Sequence, residues 1–413
     1  MDIGDIRTQD EAVQLLEGWA EARRTELGSA VTTRPLVKTY MLEHSEKHLG
    51  PSLGRAFAKS GITLTPLRDG DFETIWDSRQ QKYVGFLERL INRHPVIYTT
   101  EKSDVMDPWV KRLVHRNPSL DRLWISGMTF HRLWSAVLAQ SSPNRFGRIV
   151  FQHDNLFENA MDLPFSADAD ESEPEANISM EPTDDEEVPE RKATRFAVVD
   201  RLSTLERILP AMRSLYGPLR AISQLRFPGA RGGGHDFYYN GKVTNRTDSF
   251  SEHRLRVRYV LQVYSATTLR AEAATWSGVE KMNVGNTEAT KWILGAPVRI
   301  QFSQALTPAV FDRFVESVFV RKNRDFNLWG NPIRLGPTKV HVYALDRHVA
   351  QQLFIEITNT NILVVIPAAT CGNSIHRLVT NVQQFLDPAI DVWIGDQSYE
   401  SLVNVDIGIN ALN

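Results

Sequence analysis

The chain has 413 residues, 42% hydrophobic and 23% charged, as a folded water-soluble protein requires. It holds no 18-residue apolar run, and its opening MDIGDIRTQDEAVQLLEGWA lacks the basic-then-apolar pattern of a secretory leader, so a cytoplasmic protein away from membranes is expected. The single Cys371 excludes an internal disulfide and a cysteine-only zinc cluster, and the net charge of −3 points to no charged partner.

In chain order, residues 9–27 place Ala12, Leu15, Leu16, Trp19 and Ala20 near one helical face, with Thr8 or Asp10 as cap. Further helices are expected over 35–49, within 51–63, and over 72–93, where Trp76, Tyr83, Phe86, Leu87, Leu90 and Ile91 recur. Strands at 95–100, 120–127 and 145–154 alternate with helices at 107–116 and 130–140, which predicts a small α/β unit with Trp109, Trp124 and Trp134 in its core. This unit contains His94, His115, His131 and His153 with Asp104, Asp107, Asp121 and Asp154. None has a diagnostic metal-ligand spacing; His153-Asp154, at a strand end, is the one candidate for a nuclease or hydrolase site.

Residues 162–190 carry 12 acidic side chains and no basic one. Such a stretch cannot offset its ordering entropy, so 162–193 is read as a disordered acidic linker, either a tether or a polyanion mimic lying over the basic block that follows.

After the linker, one template reads twice. The first pass has a strand at 194–200, a helix at 203–219, strands at 220–227, 236–246, 253–265 and 267–276, and a helix at 280–294. The second has a strand at 297–303, a helix at 307–321, strands at 331–337, 338–346, 351–359 and 361–370, and a helix at 373–387. The fold class is therefore α+β: an N-terminal helical and α/β domain (1–161), the linker (162–193), and two C-terminal repeats (194–295 and 296–413) forming a curved antiparallel sheet. The order strand, helix, four strands, helix is similar to that of the TATA-box-binding-protein half-repeat. The resemblance is one of element order over 194–394, implies a saddle-like pair of halves, and carries no DNA-reading motif.

Residues 195–258 hold 12 Lys/Arg against five Asp/Glu. Read as a strand, HRLRVRYVLQVYS puts Arg254, Arg256 and Arg258 on one face. The loop PGARGGGHDF offers free amides beside Arg231 and His235, and Tyr238 and Tyr239 are placed to stack on bases. With Arg220, Arg226, Lys242, Arg246 and His253 these residues predict a polyanion-binding face, DNA or RNA being the expected partner and no cofactor being called for. The expectation is a nucleic-acid-binding protein rather than an enzyme. The alternatives are an accessory or scaffold subunit of a larger intracellular complex, such as one of a prokaryotic defence system, and the enzyme at His153/Asp154. Cys371, at the start of the 373–387 helix with Asn373 or Ser374 as cap, is a lesser candidate for an activated thiol.

Overall fold

The computed structural model describes residues 2–26, 36–45, 52–91, 93–157, 193–284, 287–321, 323, 325–368 and 370–404. The acidic segment, apart from Ala193, lies outside the described residues. The helices are α1 (Gln9–Glu26), α2 (Leu53–Ala58), α3 (Ser103–Arg116), α4 (Gly127–Gln140), α5 (Leu202–Leu215), α6 (Phe250–Thr275), α7 (Pro308–Val315), α8 (Asn373–Phe385) and α9 (Tyr399–Val403).

The first sheet takes β1 (Lys38–His44), β2 (Ile62–Pro66), β3 (Phe72–Asp77), β4 (Lys82–Ile91), β5 (His94–Thr99), β6 (Leu120–Arg122), β7 (Phe146–Asp154), β8 (Ala193–Arg201), β9 (Ile222–Pro228), β10 (Gly234–Tyr238) and β11 (Lys242–Asn245). Its order is β2-β3-β4-β5-β1-β11-β10-β9-β7-β8, with β6 added to β1. The second sheet takes β12 (Trp276–Val284), β13 (Thr287–Leu294), β14 (Val298–Gln301), β15 (Leu328–Gly336), β16 (Lys339–Asp346), β17 (Gln351–Thr358), β18 (Asn361–Pro367), β19 (Asp391–Ile394) and β20 (Gln397–Ser398). Its main order is β15-β16-β17-β18-β14-β19-β20, with β12 joined in parallel to β18 and in antiparallel fashion to β13. The class is α+β, with two largely antiparallel sheets.

Strands on either side of the acidic segment pair directly, from Phe146↔Arg201 to Asp154↔Ala193. The strands on either side of the acidic segment therefore belong to one sheet, and residues 193–245 add to the sheet begun by β1–β7 instead of opening a separate one.

Three expected helices and two expected strands are corrected. Residues 38–44 form a central strand whose seven residues are all buried; a two-sided buried run has no periodicity by which to exclude a helix. Residues 72–91 form the β3–β4 hairpin, whose turn is closed by Gln81 at φ 51°. Gly85 in β4 has φ 154°, and a Cβ there would stand 2.1 Å from the Tyr98 carbonyl oxygen. Gly85→Ala is expected to cost well over about 1 kcal/mol, read as a lower urea midpoint at unchanged slope. Residues 250–275 form one helix in place of two strands. Ser249 Oγ caps it by accepting from the Glu252 amide at 3.1 Å. The consecutive buried run Tyr259, Val260 and Leu261 fits a helix enclosed on several sides, and α6 touches β4 and β11 of one sheet and β18 of the other. The expected 280–294 helix is part of the β12–β13 hairpin.

The second pass of the template is found element for element. The first is not: α6 replaces two strands, and β7 is inserted between β8 and β9. The tandem duplication and its saddle therefore fail over 250–294. One core lies along the first sheet against α1, α4, α5 and α6, and a second joins β14–β19 to α7, α8 and α9. Among the described residues no helix is long and apolar enough to cross a membrane.

Candidate functional site

The basic strip is largely neutralised from within. Asp236, fully buried on β10, accepts from Arg226 (2.6 and 2.9 Å) and from Arg246 (2.6 Å). Burial pushes the Asp236 carboxyl up, and the two guanidinium groups outweigh it and hold it below the usual range. Lys242 donates to Asp107 at 2.7 Å, and Arg254 donates to the buried Glu88 with Nε 2.9 Å away. Arg256 binds Gln140 at 2.6 Å and lies 3.9 Å from Glu252. Since α6 is a helix, Arg254 and Arg258 share a side and Arg256 points elsewhere, which corrects the single strand face expected for all three.

His235 is buried, with Nδ1 3.1 Å from His253 Nδ1; burial lowers both imidazoles below their ordinary range. Tyr238 lies under the Lys242 ammonium, 5.6 Å from the ring centre. In the glycine-rich loop, the Ala230 amide donates to Glu252 at 3.0 Å. Arg231 is exposed on a groove of about 780 Å³. That groove sets Arg231 and Arg256 against Glu17, Glu21, Asp248 and Glu252, so its wall is net acidic and unsuited to phosphate. Arg220 stays exposed, 4.0 Å from Asp391.

The histidines and aspartates of the N-terminal half are dispersed. His153 is buried, with Nδ1 3.1 Å from the Gln383 carbonyl, and Asp154 ends β7 opposite Ala193. His131 meets Arg213, Asp121 meets Arg377, and Trp109, Trp124 and Trp134 are buried as expected.

Two features were not found from the sequence. The first is the outward face of the second sheet. Strands β15–β18 alternate, with Val340, Val342, Leu353, Ile355, Ile362 and Val364 turned to α7 and α8. The other parity carries Trp329, Ile333, Tyr343 and Phe354, which are 47, 47, 62 and 43% exposed. Register aligns Asn331, Tyr343, Phe354 and Val365 in one cross-strand row, with Tyr343 and Phe354 edge to face at 5.2 Å. A neighbouring row runs Ile333, His341, Glu356, Leu363, Arg299, Trp393. Lys339 and His341 both reach Glu356, at 2.9 and 2.6 Å, while Arg299 is exposed. With Leu335 of β15, 55% exposed, the patch holds five large exposed apolar side chains and exceeds the scattered singles of an ordinary surface.

The second is a buried polar seam between the sheets. Glu43 on β1 accepts from Arg93, whose guanidinium also reaches Glu272 of α6 at 2.5 and 3.1 Å and the Cys371 sulfur at 3.0 Å. His94 Nδ1 stands 2.9 Å from Glu43 Oε2. Burial opposes charge on Glu43, but His94 and Arg93 hold it far below the usual range. Beside it, Arg377 joins Asp121 to Asp346 (2.6 Å) and donates from Nε to the Phe326 carbonyl at 2.9 Å. Asn373 and Ser374 do not cap α8; their side chains bind Asp121 and Asp346. Burial and Glu43 push the Cys371 thiol up, against its reading as an activated nucleophile.

The chain matches the family described as MJECL33-like protein over residues 15–401, from α1 through most of α9. It belongs to that family. It is similar to the uncharacterized protein MJECL33 of Methanocaldococcus jannaschii, with 22% identity over 404 residues and 93% of each chain covered. No solved structure matches. The family match takes in both sheets, the outward face of β15–β18 and the buried seam.

Within that seam His376 sits between Thr268 (3.1 Å) and Tyr399 (2.5 Å), and burial lowers its pKa to about 3. It is neutral in the folded protein, whereas an unfolded histidine takes a proton near pH 6.5. Its contribution is complete above pH 6.5 and is lost as the pH falls from 6.5 toward 3. His131, also lowered to about 3, acts in the same direction. Urea midpoints at pH 7, 6 and 5 are expected to fall, with a limiting slope of about 1.4 kcal/mol per pH unit from His376. An unchanged midpoint at pH 5 would mean that His376 is not held neutral.

Proposed function

We propose that this MJECL33-like protein binds nucleic acid as an intracellular, non-catalytic protein, and that the outward face of β15–β18 is its contact surface. The observation that carries the reading is the exposed aromatic set Trp329, Tyr343 and Phe354 on adjacent antiparallel strands. Bases stack on such platforms irrespective of sequence, and the exposed Arg299 on the same face supplies a cationic partner for the backbone. Stacking needs unpaired bases, so single strands are preferred to duplex. The basic residues of 220–258 serve mainly as internal ion pairs in this reading, with the exposed Arg220 left as an outlying contact. Competition between oligo-dT and a duplex of the same length tests the preference; equal or stronger duplex binding counts against it.

A second reading, a docking face for a protein partner in a larger complex, is favoured by the exposed Ile333 and Leu335, which bases do not require. Substitution of both by Ser separates the two. Nucleic-acid affinity changes little under the first reading, and co-purification of a partner is lost under the second.

A further inference from the structure

We propose that Glu43, His348 and Cys371 form a binding site for a thiophilic divalent metal of the zinc class, one that pins the two sheets together. Their ligand atoms, one from each side chain, all lie within 4.8 Å of one another, and all three residues are buried. Glu43 comes from β1 of the first sheet, His348 from the β16–β17 turn of the second, and Cys371 from the segment entering α8. Both ring nitrogens of His348, which is fully buried, lack a hydrogen bond among the described residues, and Glu43 Oε2 accepts none in good geometry. A buried imidazole without a partner is costly, and a metal relieves that cost by taking one nitrogen.

Thiolate, imidazole and carboxylate together suit zinc and disfavour magnesium or calcium, which take oxygen. Three protein donors leave one tetrahedral position for a further ligand, and the burial of all three donors shields that position from bulk water. On binding, the Cys371 S–H loses its proton to solvent as the sulfur–metal bond forms, with no change of oxidation state. Arg93 keeps its pairing to Glu272, and His94, beside Glu43, orients the carboxylate.

The test uses the full chain purified from zinc-supplemented cells without chelator. Elemental analysis is expected to find about one zinc per chain, and cobalt substitution is expected to give thiolate-to-cobalt charge transfer. Cys371→Ser abolishes that band and weakens metal retention about 10–100-fold, and His348→Gln weakens it similarly while removing no sulfur. Should either variant misfold, removal of metal from the wild type by a chelator still decides. It lowers the thermal midpoint by about 3 °C, relative to metal held about a hundredfold above its Kd, and zinc alone restores it. Wild-type protein with under about 0.1 metal per chain, cobalt protein without the thiolate band, or a midpoint indifferent to chelator overturns the proposal and leaves Arg93 as the cation that Glu43 and Cys371 share.

Discussion

Arg377→Met is expected to destabilise the protein by about 3–5 kcal/mol. Arg377 is 1% exposed and lies between Asp121, on the first sheet, and Asp346, at the end of β16 in the second. Burial acts against its charge and the two carboxylates more than restore it. Removing the guanidinium leaves two buried carboxylates facing each other, and each must desolvate unpaired or take a proton. Arg377→Lys is expected to fail nearly as badly, because an ammonium cannot span both carboxylates while donating to the Phe326 carbonyl. Adding Asp121→Asn and Asp346→Asn to Arg377→Met should recover much of the loss, because the uncompensated charge goes with the partners. Denaturant midpoints decide it; a loss below about 0.5 kcal/mol in Arg377→Met would show that the seam is not what joins the halves.

The second large effect concerns binding. Alanine at Trp329, Tyr343 or Phe354 is expected to weaken single-strand binding by about five- to 150-fold, since a base stacked on an aromatic ring contributes about 1–3 kcal/mol. The side chains are 43–62% exposed, so stability should change little. Loss of binding with an unchanged thermal midpoint distinguishes a contact surface from a folding defect.

The sequence made the second half legible. In β16–β18 the alternation of Val340, Val342, Leu353, Ile355, Ile362 and Val364 survives because one side of the sheet is covered and the other is not. The helix α7 announces itself by Thr307, whose hydroxyl accepts from the Val310 amide, followed by Pro308. The region around α6 misled because residues enclosed on several sides satisfy both periods: Val257, Tyr259, Leu261 and Val263 alternate and are buried, yet Val260 and Tyr264 between and beyond them are buried too. The β1 segment failed for the same reason, being covered on both faces. The charges of 220–258 were visible, but their partners were not: Glu88 lies 166 residues from Arg254. The seam had no local signal at all, since Cys371 and Glu43 are 328 residues apart and no spacing motif can join them.

The most direct measurement is the affinity of the full chain for a single-stranded oligonucleotide over a salt series starting near about 50 mM, compared with Trp329/Tyr343/Phe354→Ala and with Arg299→Ala. The expected result is wild-type binding whose logarithm falls linearly with log salt, a triple variant at least about tenfold weaker at the same slope, and an Arg299→Ala slope smaller by about 1. Wild-type protein that leaves DNA and RNA unbound at low salt, or a triple variant that binds as tightly as wild type, would contradict the sheet face as a nucleic-acid platform.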